Sequence, residues 1–247
     1  MKKIIIPALV FVTMSFVSCT SQDLQKSISI ANDVVNGTSE GGVKPLSNDE
    51  VINGLKNALT VGTNNSTGLA SKLDGYYKNP ALFIPFPQEA IKVKEKMDAI
   101  GFKDQTDKFV LTLNRAAEEA AKNAGTVFIN AIKAMSIGDG FAILKGADNA
   151  ATTYLTDKTS DELRKTFRPT VQNAIDKVEL TKYWSPIISN YNKIPLVEKQ
   201  NPDLTAYVTD RAMVGLFKLI ADEELKIRKD PAARVNDILK RVFANVQ

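Results

Sequence analysis

Histidine is absent from this 247-residue chain, and cysteine occurs once. Without imidazole there is no Ser-His-Asp triad, no Cys-His pair, no histidine acid/base step and none of the zinc sites that need an imidazole ligand. A single cysteine makes neither an intrachain disulfide nor a four-cysteine metal cluster. No segment alternates apolar and polar residues over a strand length, so a sheet-based architecture is not expected. Charge of one sign is also scarce, with 32 Lys and Arg against 28 Asp and Glu. What is present is a hydrophobic fraction of 44%. At this length it can build one core, or at most two small ones, burying roughly 70% of the unfolded surface.

The N-terminus carries an address. Met1-Lys2-Lys3 precedes a mostly apolar run over residues 4–17, broken by Pro7, Thr13 and Ser15. That run is shorter than the ~20 residues of a membrane-spanning helix and has the form of a secretory signal. Phe16-Val17-Ser18-Cys19 resembles the lipobox of bacterial lipoproteins, which implies cleavage before Cys19 and its lipidation. Two or more acyl chains on one cysteine give stable anchoring. Thr20-Ser21-Gln22-Asp23 contains no strongly acidic tract and no aspartate directly after the cysteine. The expected location is therefore the cell envelope, as an outer-membrane lipoprotein facing the periplasm. Removing residues 1–18 takes Lys2 and Lys3 with it and lowers the formal charge from +4 to +2. So small an excess does not point to nucleic acid. The partners expected are the membrane, through the lipidated cysteine, and an envelope protein or lipid.

Three parts follow along the chain: a signal peptide over 1–18, a lipidated arm and linker over 19–46, and a helical domain over 47–247. Ser47-Asn48-Asp49-Glu50 is a capping box, in which Ser47 accepts from an exposed backbone N–H and Glu50 reaches back. It opens a helix through Val51, Leu55 and Leu59. The polar, Gly- and Asn-containing stretch 60–68 reads as a loop, and 69–77 as a short helix. Residues 79–87 hold three prolines among apolar residues and read as an extended segment packed on the body. Residues 88–100 are helical again. Residues 104–135 give the longest helix, with a broad face of small side chains from Ala116 to Ala131. Ser136-Ile137-Gly138-Asp139 and Thr159-Ser160-Asp161-Glu162 read as two further capping boxes, the second starting a helix through Leu163 and Phe167. A helix over about 203–229, capped by Asn201-Pro202, is apolar almost all round from Ala212 to Ala221. That places it at the centre of the domain, and a last helix follows Asp230-Pro231. The expected fold is all-α, a single irregular bundle of about eight to ten helices around that C-terminal helix.

Charges on a buried helix need partners. Arg211, Lys218 and Asp222 fall in one stripe of the central helix, and Glu224 and Arg228 are four residues apart. Together with Arg115, Glu118, Asp139, Asp210, Asp230 and Arg234 they form the candidate set, read first as an internal ion network docking the last helices and second as a binding site. Arginine suits bidentate recognition of carboxylate or phosphate. Paired carboxylates could hydrolyse a glycoside or hold a hard cation if they converged. The adjacent Glu223 and Glu224, however, point about 100° apart on a helix. No catalytic residue, metal or cofactor is assigned.

Several motifs also match a family. Asn114-Arg115-Ala116-Ala117-Glu118, the stretch from Gly138-Asp139-Gly140 to Gly146, and Ala150-Ala151-Thr152-Thr153-Tyr154-Leu155 occur in order. They are followed by Leu204-Thr205-Ala206-Tyr207-Val208-Thr209, Ile220-Ala221, Glu223-Glu224, Ile227-Arg228, Asp230-Pro231 and Ala233-Arg234. This succession over about residues 45–246 resembles the bacterial domain-of-unknown-function family numbered 4197, whose members are often envelope lipoproteins. The resemblance implies a helical fold and carries no substrate, cofactor or catalytic residue. The functional expectation is a non-enzymatic envelope lipoprotein with a binding or structural role. The alternatives are a lipid or small-molecule binding module, and a carboxylate-dependent hydrolase of envelope polymer.

Overall fold

The computed structural model describes residues 47–177 and 203–234, with single positions between 182 and 199 and at 240. The signal peptide, Cys19 and the arm, the Asn201-Pro202 cap and most of the last helix lie outside the described residues; after Asp230 the structure describes a 3₁₀ turn (Pro231–Ala233). Residues Leu46–Gln247 form one compact unit.

Helix α1 (Asn48–Ser71) starts where the capping box places it: Ser47 Oγ accepts from the Glu50 N–H at 3.2 Å, and Glu50 Oε2 accepts from the Ser47 N–H at 2.8 Å. It does not stop at residue 60. The hydroxyls of Thr63, Ser66 and Thr67 each donate to the carbonyl four residues back at 2.8 Å, so these polar groups are buried and satisfied inside the helix. The polar composition of 60–68 is thus a small-residue packing face rather than a loop. Ala58, Gly62, Ser66 and Ala70 are buried along it.

The chain then turns where a short helix was expected. Asp74 has φ 66°, and a Cβ on Gly75 would lie 2.4 Å from the Leu69 carbonyl oxygen. The proline segment follows, with Leu82, Ile84 and Phe86 turned inward and Phe83 outward. It leads through a 3₁₀ turn (Gln88–Ala90) into α2 (Ile91–Ala99). Gly101 at φ 94° ends α2, and the Phe102 N–H returns to the Met97 carbonyl at 2.9 Å, as in a Schellman motif.

The expected helix over 104–135 is interrupted. Helix α3 (Lys103–Ala121) and α4 (Ala124–Ala134) are separated by a tightened turn in which the Lys122 and Asn123 N–H groups reach carbonyls three residues back. The bent connection to α5 (Ile137–Lys145) is 104° and carries the expected Ser136–Asp139 capping box. Helix α6 (Ala150–Ile175) runs through Thr159, whose hydroxyl donates to the Leu155 carbonyl at 2.6 Å. The capping box expected there is not used. Ala151, Leu155, Leu163, Phe167, Val171 and Ile175 are buried at four-residue spacing with Thr159 in the same row, and that continuous row keeps the helix going. Helix α7 (Leu204–Lys229) is capped by Asp203, which accepts from the Ala206 N–H at 3.0 Å.

Helix α7 packs chiefly along α6 and α1, while α3 packs on α6 and α1 on α4. Their inner faces share one core, including Leu55, Tyr76, Phe109, Phe128, Leu155, Phe167 and Leu216. Helix α2 lies on α3 and contributes no buried residue. Against expectation α7 is not covered all round: Arg211, Val214, Lys218, Asp222 and Leu225 form a solvent-facing row. Every described element is helical and no strand occurs among the described residues, which hold seven α-helices against the eight to ten expected for the whole chain. No single helix among the described residues is long and apolar enough to cross a membrane.

Candidate functional site

The candidate charges separate into two buried clamps and a set of local or surface pairs. The first clamp joins α7 to the start of α6. The opening N–H groups of a helix have no partner inside it and carry partial positive charge. Asn149, at the N-cap of α6, makes no side-chain capping bond. Glu224 supplies one from α7. Its Oε1 accepts from the Ala151 N–H at 2.9 Å, and its Oε2 accepts from the Thr152 N–H and hydroxyl, both at 2.8 Å. Arg228 closes the group, donating twice to Glu224 Oε1 at 2.9 and 2.8 Å and once to the Ile143 carbonyl near the end of α5 at 2.9 Å. Arg234 then folds back to donate to the Ile227 and Arg228 carbonyls at 3.1 and 2.8 Å. That capping is the C-terminal counterpart of the same effect.

The second clamp holds the turn and proline segment against α3. Glu118 Oε1 accepts from the Tyr76 and Tyr77 N–H groups at 3.1 Å each, and Oε2 accepts from Arg115 at 2.5 Å. Arg115 also donates to Asp74 at 2.7 Å and lies 5.6 Å from the Tyr77 ring centroid. Hydrogen bonds from Lys78 and then Arg115 hold the Asp74 carboxyl below its ordinary pKa of 3.8. One turn earlier, Asn114 accepts from the Ile84 N–H at 2.9 Å and donates to the Ile84 carbonyl at 2.8 Å. The buried Tyr76 hydroxyl donates to the Ala212 carbonyl at 2.6 Å. Burial, and after it the Glu118 charge, push this phenol's pKa above its usual range.

The remaining candidates stand apart from both clamps. Asp139 caps α5, and hydrogen bonds from Ser136 lower its pKa. Asp210 lies 3.3 Å from Arg164 on the surface. Arg211 is exposed and stacks over Tyr207 at 5.5 Å, and Lys218 pairs with Asp222 at 2.9 Å with both side chains half exposed. Asp230 ends α7 and accepts from the Ala232 N–H at 2.8 Å. The stripe expected to be internal is therefore a solvated face. No group of three or more Cys, Asp or Glu side chains is placed to share a cation among the described residues.

Grooves on the described surface include two next to these elements. One, of about 490 Å³, is lined by Tyr77, Phe83, Phe86, Ile91 and Val110 beside the second clamp. The other, of about 550 Å³, runs between α4 and α6 with Asn123, Thr126, Asn130, Lys158 and Glu162 on its walls. Sequence reasoning missed this second groove, because a helix start placed at Thr159 hides that Lys158, Glu162 and Thr166 share one helical row. It also missed Asn114 as an anchor, since its partner lies in a segment without periodicity. The signal available was a polar asparagine on the otherwise apolar inner face of α3.

Fold and clamps together define an all-α protein whose buried charges serve helix ends and a backbone turn. Residues 45–244 match the family described as Protein of unknown function (DUF4197), and the chain belongs to that family. No curated protein and no solved structure matches it.

Proposed function

We propose that the chain is a non-enzymatic cell-envelope lipoprotein, tethered to the outer membrane through acylated Cys19 and facing the periplasm, whose helical domain has a binding or structural role. The observation that carries this reading is the saturation of the two carboxylates buried among the described residues. Glu224 takes five hydrogen bonds and Glu118 three, from backbone amides, a hydroxyl and guanidinium groups. A glycoside hydrolase needs two carboxyl groups facing one substrate across a cleft, about 5–9.5 Å apart. Here the two share no partner and each faces its own backbone segment. The lone cysteine behind a basic and apolar leader supports the tether.

Feeding the native host an alkyne-tagged fatty acid tests the anchor. The wild-type chain should take up label and sediment with membranes, whereas Cys19→Ala should do neither; continued labelling of the variant would overturn it. Incubated with isolated cell-wall polymer, the full chain should release no soluble fragment. Release that disappears in Glu118→Gln or Glu224→Gln would make it a hydrolase.

A further inference from the structure

The side chains that line the α4–α6 groove make no side-chain hydrogen bond or ion pair with one another. Some charges three or four residues apart on one helix pair with each other, as in Lys94–Asp98, Lys218–Asp222 and Lys226–Glu223, and others at that spacing, such as Asp104 and Lys108, make no ion pair among the described residues. Lys158 and Glu162 belong to the second kind: Lys158 lies over the Tyr154 ring at 5.9 Å and its charge acts on Asp139, and it makes no ion pair with Glu162. On the facing wall, Asn123, Thr126 and Asn130 have no side-chain partner among the described residues. Val127 and Ala131 complete the lining with apolar surface. The volume falls within the ~300–1,000 Å³ typical of ligand sites.

The molecule itself shows what a helix-borne carboxamide does with extended backbone: Asn114 takes both the N–H and the C=O of Ile84. Asn123 and Asn130 present the same donor and acceptor at exposed positions along the groove. Lys158 and Glu162 lie about 6 Å apart along α6. Two residues of an extended chain span about 6.6 Å, and their side chains point to the same side. An extended peptide with an acidic and a basic residue two apart therefore matches both charges at once. The lining among the described residues holds no aromatic ring on which a sugar would stack, which favours peptide over saccharide.

We propose that this groove binds an extended peptide segment of another protein, gripped on its main chain by Asn123, Thr126 and Asn130 and selected by Lys158 and Glu162 for an acid-x-base pattern. It gives a ligand class to the binding role proposed above and rests on that reading for its cellular meaning. Acylation of Cys19 and occupancy of the groove are measured separately, so either can fail alone.

The test selects a phage-displayed library of random dodecapeptides on the full chain carrying Cys19→Ala. Enriched peptides should carry the acid-x-base pattern. Asn130→Ala and Glu162→Ala, both at exposed positions, should each weaken binding about tenfold, the scale of one charge-assisted hydrogen bond, without shifting the melting temperature. The double variant Lys158→Glu with Glu162→Lys should enrich the reversed pattern. Failure to enrich any peptide, or peptides whose affinity ignores these substitutions, would overturn the proposal. Displacement of the peptides by a neutral oligosaccharide would overturn the peptide assignment and make the groove a saccharide site.

Discussion

Glu118 and Glu224 meet the same physical need with the same donors. Each takes two consecutive backbone N–H groups and a guanidinium from its own helix, so a segment distant in sequence is locked to a helix without an exposed charge being lost to solvent. At Glu224 the second helix gains the N-terminal cap that Asn149 does not provide. Removing one partner of such a group strands the other in a dry site, whereas surface charges cost little. Glu224→Ala should therefore lower unfolding free energy by about 3 kcal/mol or more, and Lys218→Ala by less than about 0.5 kcal/mol, in urea titrations followed by circular dichroism. Equal losses would show that the α7 surface stripe is as structural as the clamp. Residue chemistry alone did not separate these cases. Glu224–Arg228 and Lys218–Asp222 are both four-residue pairs, and only the arrival of α6 at one of them makes the difference.

At the level of elements, apolar rows proved more legible than polar interruptions. The helices opened by Ser47 and Ser136 begin at their capping boxes, and both cap residues are exposed rather than part of a buried row. Thr159 carries the same local signal, but it lies between buried Leu155 and Leu163, and helix interior wins. The stretch 60–68 misled for a related reason: Gly, Ser and Thr disfavour isolated helix, yet their small size lets α1 approach α7. The turn at 72–78 was hidden because its stabilising partners, Glu118 and Arg115, are on another helix. This separates two glycines. A Cβ on Gly62 would meet Glu223 Cβ at 3.7 Å and Ile227 Cδ1 at 3.8 Å, ordinary contact, whereas on Gly215 it would meet Tyr76 Cε1 at 3.0 Å and Leu82 Cγ at 3.2 Å. Gly62→Ala should thus stabilise the protein by about 0.5–1 kcal/mol through helix propensity. Gly215→Ala should destabilise it by about 1–3 kcal/mol, because Tyr76 is tied by its hydroxyl and has little room to yield. Thermal melts of the two variants check the opposite signs. A loss in both would mean that the α1–α7 contact at Gly62 tolerates added volume no better than the contact of Gly215 with Tyr76 and Leu82.

Across the whole molecule, one core joins the helices to the proline segment, and that sets how the domain should respond to acid. Asp74, Asp98, Asp139 and Asp148 all have pKa values below the ordinary 3.8, each held down first by a side-chain hydrogen bond: from Lys78, Lys94, Ser136 and Lys229 respectively. A carboxyl with a depressed folded-state pKa binds protons more weakly folded than unfolded. Its contribution is complete above about 3.8 and is lost as pH falls through the folded values. Stability should accordingly be level from neutral pH down to about 5 and fall steeply below about 4. With no histidine in the chain, no step near pH 6.5 is expected. The buried Trp184 lies edge-on to Phe86 at 6.2 Å and within 6.1 Å of Phe109, so its near-ultraviolet signal reports the packing of the proline segment on α3, while the far-ultraviolet signal reports the helices. Because Asp74 ties that segment to Arg115 and Asp148 ties α7 to the approach to α6, protonation loosens both ends of the same core. The two signals should fall together in one acid transition. An earlier loss at Trp184 would show that the segment gripped by Asn114 and Glu118 opens as a separate unit while the helices remain folded.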